Sequence, residues 1–585
     1  MGLNRGARTD DVTYEARQST MTGDPRIAFV LRAALAAALV ASLLATPAGA
    51  AGSYRFNGSG WGHGIGLSQY GALGLAQEGW GPARIVKHYY TNTTVAHRDP
   101  PKGRFRVGLL QRRQTITVTV QRGAVALRLN KGRAIETIRK GATRRIIVTN
   151  GKRYRIKRPD GSVVGKRLWG AADNPLEVRP KNGGVVRVPE WGHAAGRGFL
   201  RVKIVGRKSA HLVAVVPAEQ YLFGLGEVPS SWPMRALKAQ AIAARSYAYV
   251  VVGAGRSGCA CDIFASTRDQ AYVGWDKEAG TAGDRWVDAV QGTSRQVAVH
   301  GGAVIQGLYS SSSGGYTENV ENVWGGGAIA YLKGVCDPGD WTPSNPNRVW
   351  STSFTARGLA TKLGRPNGMV RVTAFNVTKR GVSGRVVTAT IKGRRGNGSA
   401  VSWTTSGWNL RGRLGLKESR FWVNQDRQVT GRIRARYDEL ECQPGLARSN
   451  QKKITAGRWQ RFDKGRLYHH AGLKRVTWVR GPVLQKYLDL KAHNGFLGRP
   501  RAFGGEAGGV RARFDGGDVY HHEAVGAFEV HGQVLQAYRD HGGPASDLGF
   551  PTSDVVTEID GTLVSTFEGG TISCEPDAGC SVTPA

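Results

Sequence analysis

The chain has 585 residues, enough for about three to four domains, and its 82 Lys and Arg against 43 Asp and Glu leave a formal charge of +39. Beyond the N-terminal region no stretch approaches the roughly 20 apolar residues of a membrane span, which excludes a multi-span membrane protein. The charge invites nucleic acid, but no RNA-binding aromatic motif, zinc finger or helix-turn-helix pattern accompanies it, and nucleic acid is not expected as a partner. Residues 1–50 read as a cleaved secretory signal. An apolar run from Ala33 to Ala45 follows Arg26 and Arg32 and precedes Ala48-Gly49-Ala50, an A-x-A cleavage site, with Met21 as an alternative start. The mature chain is therefore expected outside the cell.

Residues 51–98 open on turn glycines (Gly58, Gly60, Gly62, Gly64 and Gly66) and continue into helix-like stretches at Ser68–Ala76 and Pro82–Tyr90. Residues 99–214 alternate as antiparallel strands, about six to nine of them. They hold most of the charge: Arg98 to Lys208 contains 29 Lys and Arg against 6 Asp and Glu, a field that attracts polyanions. Residues 215–425 begin VVPAEQYLFGLGEVPSSWPMRALKAQAIAARSYAYVVV. Glu227 stands there in a Gly- and Pro-bounded turn. After Pro233, Met234, Leu237, Ala241, Ala244, Ala248 and Val251 form one buried stripe of a helix. Gln240 and Tyr247, seven apart, share a face of it and Arg245 lies on another. A Ser/Gly-rich turn at Ser310–Thr317 follows, and a polar linker is expected at 438–456.

Residues 457–585 repeat. RFDKGRLYHH returns 52 residues later as RFDGGDVYHH, and GPVLQKY and LGRP return 51 residues later as GQVLQAY and LGFP. Such self-similarity marks stacked structural units. Six cysteines, an even number in an exported chain, read as disulfides with 15 possible pairings. Cys574 and Cys580 suit a short terminal loop. Cys259-Ala-Cys261 invites a metal, but the spacing is not C-x-x-C and no His pair lies nearby, so no metal site is assigned.

The segment around Glu227 resembles the signature of the SpoIID/LytB family of bacterial sporulation and cell-division proteins. GWGHGIGLSQYGA at 60–72, SSSSGGYT at 310–317 with Trp324, and LRGRLGLKESRF at 410–421 resemble further hallmarks of it. The GWGHG hallmark usually ends the family's catalytic domain, whereas here it comes first, so the domain reads as circularly permuted. LGRP and LGFP, each in phase with an F-x-GG segment, resemble LGFP repeats of actinobacterial wall proteins. The resemblance implies an α+β fold: a β-rich SpoIID-like catalytic domain with a buried central helix, then a small repeat domain.

It also implies a peptidoglycan lytic transglycosylase with Glu227 as its single acid/base, no cofactor, and glycan strands as substrate. The alternative it leaves open is a non-catalytic module that activates a wall amidase. Anionic wall polymers are the expected partners of the basic region, and association with the cell wall follows. His63, Gln69, Tyr70, Gln240, Tyr247, Arg245, Ser312 and Ser313 are the expected substrate-binding residues, Arg245 being either an ion-pair partner or an anion contact. Glycosidic cleavage by one carboxyl needs a raised pKa. Leu222, Phe223, Leu225 and Trp232 would raise it, whereas a helix N-terminus would lower it.

Overall fold

The computed structural model describes residues 52–130, 132–149, 153–169 and 174–585; the expected signal segment lies outside them. Among the described residues no helix is long and apolar enough to cross a membrane. The fold is α+β, as expected. Its largest element is an eleven-stranded sheet built from residues 105–216, with Ile263–Phe264 added in parallel at one edge. In Thr115–Val120 the residues Ile116, Val118 and Val120 point into the core, so the period of two in the sequence is the period of the pleat. Ala210–Val216 is instead buried throughout. On one of its faces lies the main core, and on the other a small cluster of Phe199, Val213, Val215 and Phe264, capped by the Cys259–Cys261 disulfide.

The central helix Met234–Val251 is buried on almost every side. Alanines at 236, 239, 241, 243, 244 and 248 let it sit against the helices Gln69–Gln77, Pro82–Tyr89 and Gly283–Gln291. One charge is carried inside: Arg245 is fully buried, paired to Glu219 at 2.8 Å and bonded to the Val290 and Gln296 carbonyls. Removing one partner of such a pair costs about 3–5 kcal/mol.

The earliest described segment closes the domain. Ser53–Gly58 pairs with Phe421–Val423 on one side and neighbours Trp350–Thr355 on the other. Phe56 enters a second core, packing on Phe354, Phe375 and Phe421 beneath the sheet of 371–380, 386–394 and 400–406. Leu67–Ser68 then runs parallel to Tyr309–Ser310. Under that junction Asp337 and Asp340 are buried side by side. Asp340 accepts from Ser68 Oγ and Ser312 Oγ, both at 2.9 Å, and from the Ser313 N–H; Asp337 accepts from Ser313 Oγ at 2.6 Å and Tyr89 OH at 2.7 Å.

The tail holds three four-stranded sheets. The helices Gly481–Asp489 and Gly532–Asp540 lie between them. Tyr487 and Tyr538 donate to the carbonyls of Gly498 and Gly549, the glycines of LGRP and LGFP. Those glycines have φ of +65° and +61°, and an added Cβ would press on Asp515 or Glu568. The same device occurs once more upstream: Tyr437, on the helix Gly431–Glu439, donates to Gly445, whose φ is +80° and whose Cβ would meet Asp463. The stretch expected as a linker at 438–456 thus belongs to a first, divergent unit. Val429, Ile433, Phe462, Leu467 and Trp478 form its core, and the Cys336–Cys442 disulfide ties it to the body. Cys574 and Cys580 pair as expected.

Burial first, and then the neighbouring Asp337, push Asp340 up to about 7. Its folded pKa lies above the unfolded one, so its contribution is present at low pH and is lost as pH rises through about 7. Asp340→Asn should lessen the fall in stability between about pH 5 and about pH 8, read by urea unfolding at the two pH values.

Candidate active site

Glu227 is held by its backbone neighbours before its side chain is considered. Gly224 accepts from the Val273 N–H, Gly226 donates to the Ala271 carbonyl at 2.8 Å, and Leu225 bridges Tyr272. This short ladder aims the carboxyl at the 270–271 peptide, where Oε1 accepts from the Ala271 N–H at 2.6 Å and from Tyr309 OH at 3.1 Å. Tyr309 in turn accepts from Gln270 Nε2 at 2.8 Å, and Gln270 Oε1 accepts from Tyr221 OH at 2.8 Å. A buried relay of hydroxyls and one amide thus ends on Glu227.

Two opposing influences act on the carboxyl. The residue keeps partial exposure, yet burial is the largest effect and raises its pKa. The bonds from Ala271 and Tyr309, the Gln69 amide and the Lys277 ammonium all pull it down, and burial prevails. The helix terminus invoked as a lowering influence acts weakly from its distance: the central helix starts at Met234, seven residues on. With two donors on Oε1, the proton of the acid form belongs on Oε2. Lys277 donates to the Val228 carbonyl at 2.6 Å, and burial lowers it to about 8, with Glu227 acting the other way.

No free carboxylate accompanies Glu227 among its chain neighbours on this segment. Asp269 accepts from Tyr247 OH at 2.6 Å, from Arg256 and from the Phe264 N–H; Glu278 is paired with Arg197 at 2.6 Å, and Asp276 with His193 and Arg187. The chemistry open to this site is that of one carboxyl able to give and retake a proton.

The expected binding residues divide. Gln69, Tyr70 and His63 converge on the site. The Gln69 amide lies by the carboxyl, buried beside it. Tyr70 packs on Trp232 at 5.2 Å and donates its N–H to the Ser311 carbonyl. His63 Nδ1 accepts from the Ile65 N–H, and its ring bonds the Tyr309 backbone; burial, reinforced by Arg385, lowers it to about 3, so the imidazole stays neutral. It positions the Tyr309 strand and cannot shuttle protons at neutral pH. Beside it Trp324 packs on His63 at 5.1 Å, and Trp324 and Trp61 remain 45% and 50% exposed, open to the apolar face of a ring.

Five residues expected to bind substrate are instead buried. Arg245 is fully buried with its charge matched by Glu219, so of its two expected roles it has the ion pair and not the anion contact. Ser312 and Ser313 are fully buried and spend their hydroxyls on Asp340 and Asp337. Tyr247 is buried and its hydroxyl is committed to Asp269 and Arg256. Gln240 is 2% exposed with both amide atoms unpaired, a buried polar group and not a cleft wall.

Tyr309, Gln270, Ala271 and Lys277 were missed. Tyr309 precedes the serine run, and Gln270-Ala271 sit in TRDQAYVGW, an unremarked stretch whose role depends on a backbone N–H that no sequence pattern displays. Gly64, inside the GWGHG segment, has φ +69°, and a Cβ there would lie 1.9 Å from Arg385, which explains a glycine at that point.

Residues 206–300 match a family model described as stage II sporulation protein, and residues 499–546 match an LGFP repeat. The chain is 30% identical over 240 residues to stage II sporulation protein D of Bacillus subtilis and 29% identical over 240 residues to that of Bacillus amyloliquefaciens. Each match covers 39% of this chain and 66% of the relative, just under two thirds of its length. It is also 34% identical over 136 residues to a protein named amidase enhancer in Bacillus subtilis, covering 23% of this chain and 17% of that one.

Since Tyr309 stabilises the Glu227 anion, Tyr309→Phe should raise the pKa of Glu227 further. A carboxyl-carbon NMR titration of wild type and variant reads the direction; an unchanged or lower value would contradict the assigned bond.

Proposed function

Because the chain carries a stage II sporulation protein D domain followed by an LGFP repeat, we propose that it is an exported, wall-associated peptidoglycan lytic transglycosylase acting on MurNAc-β-1,4-GlcNAc bonds. The observation that carries this reading is a solitary carboxyl, Glu227, whose Oε1 is fixed by two donors, with burial raising its pKa. Oε2 delivers its proton to the departing O4 as the glycosidic bond breaks and positive charge builds at C1. The resulting carboxylate, stabilised by Ala271 and Tyr309, takes the proton of the muramic C6 hydroxyl as O6 bonds to C1. A 1,6-anhydro end and a free O4 hydroxyl result, with Glu227 protonated again and no water consumed. A second carboxylate is not needed, which suits a site whose neighbouring acids are all engaged. The exposed rings of Trp61 and Trp324 supply stacking surfaces for the sugars.

A second reading, a non-catalytic module that stimulates a wall amidase, draws on the amidase enhancer match. One experiment separates them: denuded glycan strands incubated with wild type and with Glu227→Gln, followed by mass spectrometry. The enzyme reading expects 1,6-anhydromuramoyl ends from wild type alone. It also expects turnover that falls as pH rises through the elevated pKa of Glu227, because the acid form starts the reaction. Absence of product from both, with an amidase stimulated by both, would establish the modulator instead.

The repeats are the natural wall tether in either reading. A cut near Asp426, placed ahead of the first repeat, with Cys336→Ser to remove the orphaned thiol, should abolish co-sedimentation with isolated walls while leaving any glycan cleavage in place. Undiminished sedimentation would count against the tether.

A further inference from the structure

A cleft of about 680 Å³ opens where the second core of the body meets the first tail repeat, and it shares no residue with the Glu227 site. Lys379, Arg380, Arg427 and Arg448 line it with no carboxylate among the lining residues. Trp422 forms part of the wall, with the guanidinium carbons of Arg380 and Arg420 each 5.1 Å from its ring. Among the described residues only Arg448 of these has a carboxylate partner, Asp463, which lies outside the lining. Arg380 donates through one nitrogen to the Gly384 and Phe421 carbonyls, and Arg427 makes no hydrogen bond to a described residue. Arg420 spends its guanidinium on the Ser383 carbonyl and Ser59 hydroxyl.

Uncompensated cations crowded into a concave wall repel one another and are held there at a cost that an anion would remove. Burial, then Arg427, Arg420 and Arg448, lower Arg380 to about 9. Burial and Arg385 lower Arg420 to about 10, so both remain cationic at neutral pH. Several cations set along a cleft, without an acid among them, call for a ligand carrying several negative charges at close spacing. Guanidinium forks match phosphoryl oxygens two at a time.

We propose that this cleft, between residues 375–382 of the second core and residues 422–448 leading into the first repeat, is a binding site for the phosphate groups of an extended anion, of the phosphodiester-polymer class. It is separate from the basic sheet at 105–216 and independent of what Glu227 does.

The test uses the full mature chain and inorganic tripolyphosphate as probe, with orthophosphate and citrate as comparators, by calorimetry at physiological ionic strength. Arg427→Gln, which removes no internal hydrogen bond, and Arg380→Gln should each weaken tripolyphosphate binding about tenfold or more. Arg145→Gln, an exposed arginine of the basic sheet, should change it less than about twofold. Orthophosphate should bind more weakly than tripolyphosphate, and citrate more weakly still. Equal binding by Arg427→Gln and wild type would overturn the site, as would an equal loss in Arg145→Gln. Orthophosphate binding as tightly as tripolyphosphate would overturn the extended anion, and citrate matching tripolyphosphate would overturn the phosphate assignment.

Discussion

Beneath the junction of Leu67–Ser68 with Tyr309–Ser310, two carboxylates lie fully buried and are satisfied by hydroxyls drawn from both partners. Ser68 comes from the first segment of the described chain, Ser312 and Ser313 from a loop some 240 residues later, and each gives its hydroxyl proton to the Asp pair. Buried polar groups cost dearly unless matched, so this arrangement is satisfied in one register and penalised in any other. The register decides where Tyr309 stands, and Tyr309 is what holds Glu227 Oε1. The position of the Glu227 carboxyl therefore depends on a polar contact in which it takes no part.

Under the proposed function, the site balances two needs of a single acid/base. A dry surrounding keeps the proton on Glu227 until it is required, and prepositioned donors receive the charge once it has gone. Both donors converge on one oxygen, which leaves the other as the only place for the mobile proton. In the proposed reaction, this division between the two oxygens of one carboxyl would do the work that two residues share in ordinary glycosidases. Lys277, bonded to the next carbonyl along, adds positive charge close by without neutralising the acid.

Much of this was legible in the chain itself. The stripe Met234–Val251 folded as the helix its spacing dictates, because an i, i+3, i+4 pattern has one low-energy burial. The alternation in 99–214 became a sheet, and GWGHG met SSSSGG although the two are far apart in sequence. What could not be read was direction. Ser312, Ser313 and Tyr247 are of the types that bind sugars, but their hydroxyls turn inward to Asp337, Asp340 and Asp269. Those aspartates carry no pattern that distinguishes buried from exposed acid. For Arg245 the choice between ion pair and anion contact stayed open because its partner Glu219 lies 26 residues away. The first tail repeat escaped notice for a related reason. Its Tyr437 and Gly445 are eight apart, whereas Tyr487 and Gly498 are eleven apart, so the period is broken in sequence though the hydrogen bond is kept.

The Cys336–Cys442 bond closes a loop of 106 positions in the chain. That loop contains the sheet of 371–406 and the second core apart from Phe56, which the first described segment supplies. A pull applied at the C-terminal repeats would travel down the backbone to Cys442 and cross there to Cys336, bypassing everything between. The covalent shunt delivers the load next to the SSSSGG loop and leaves the second core slack.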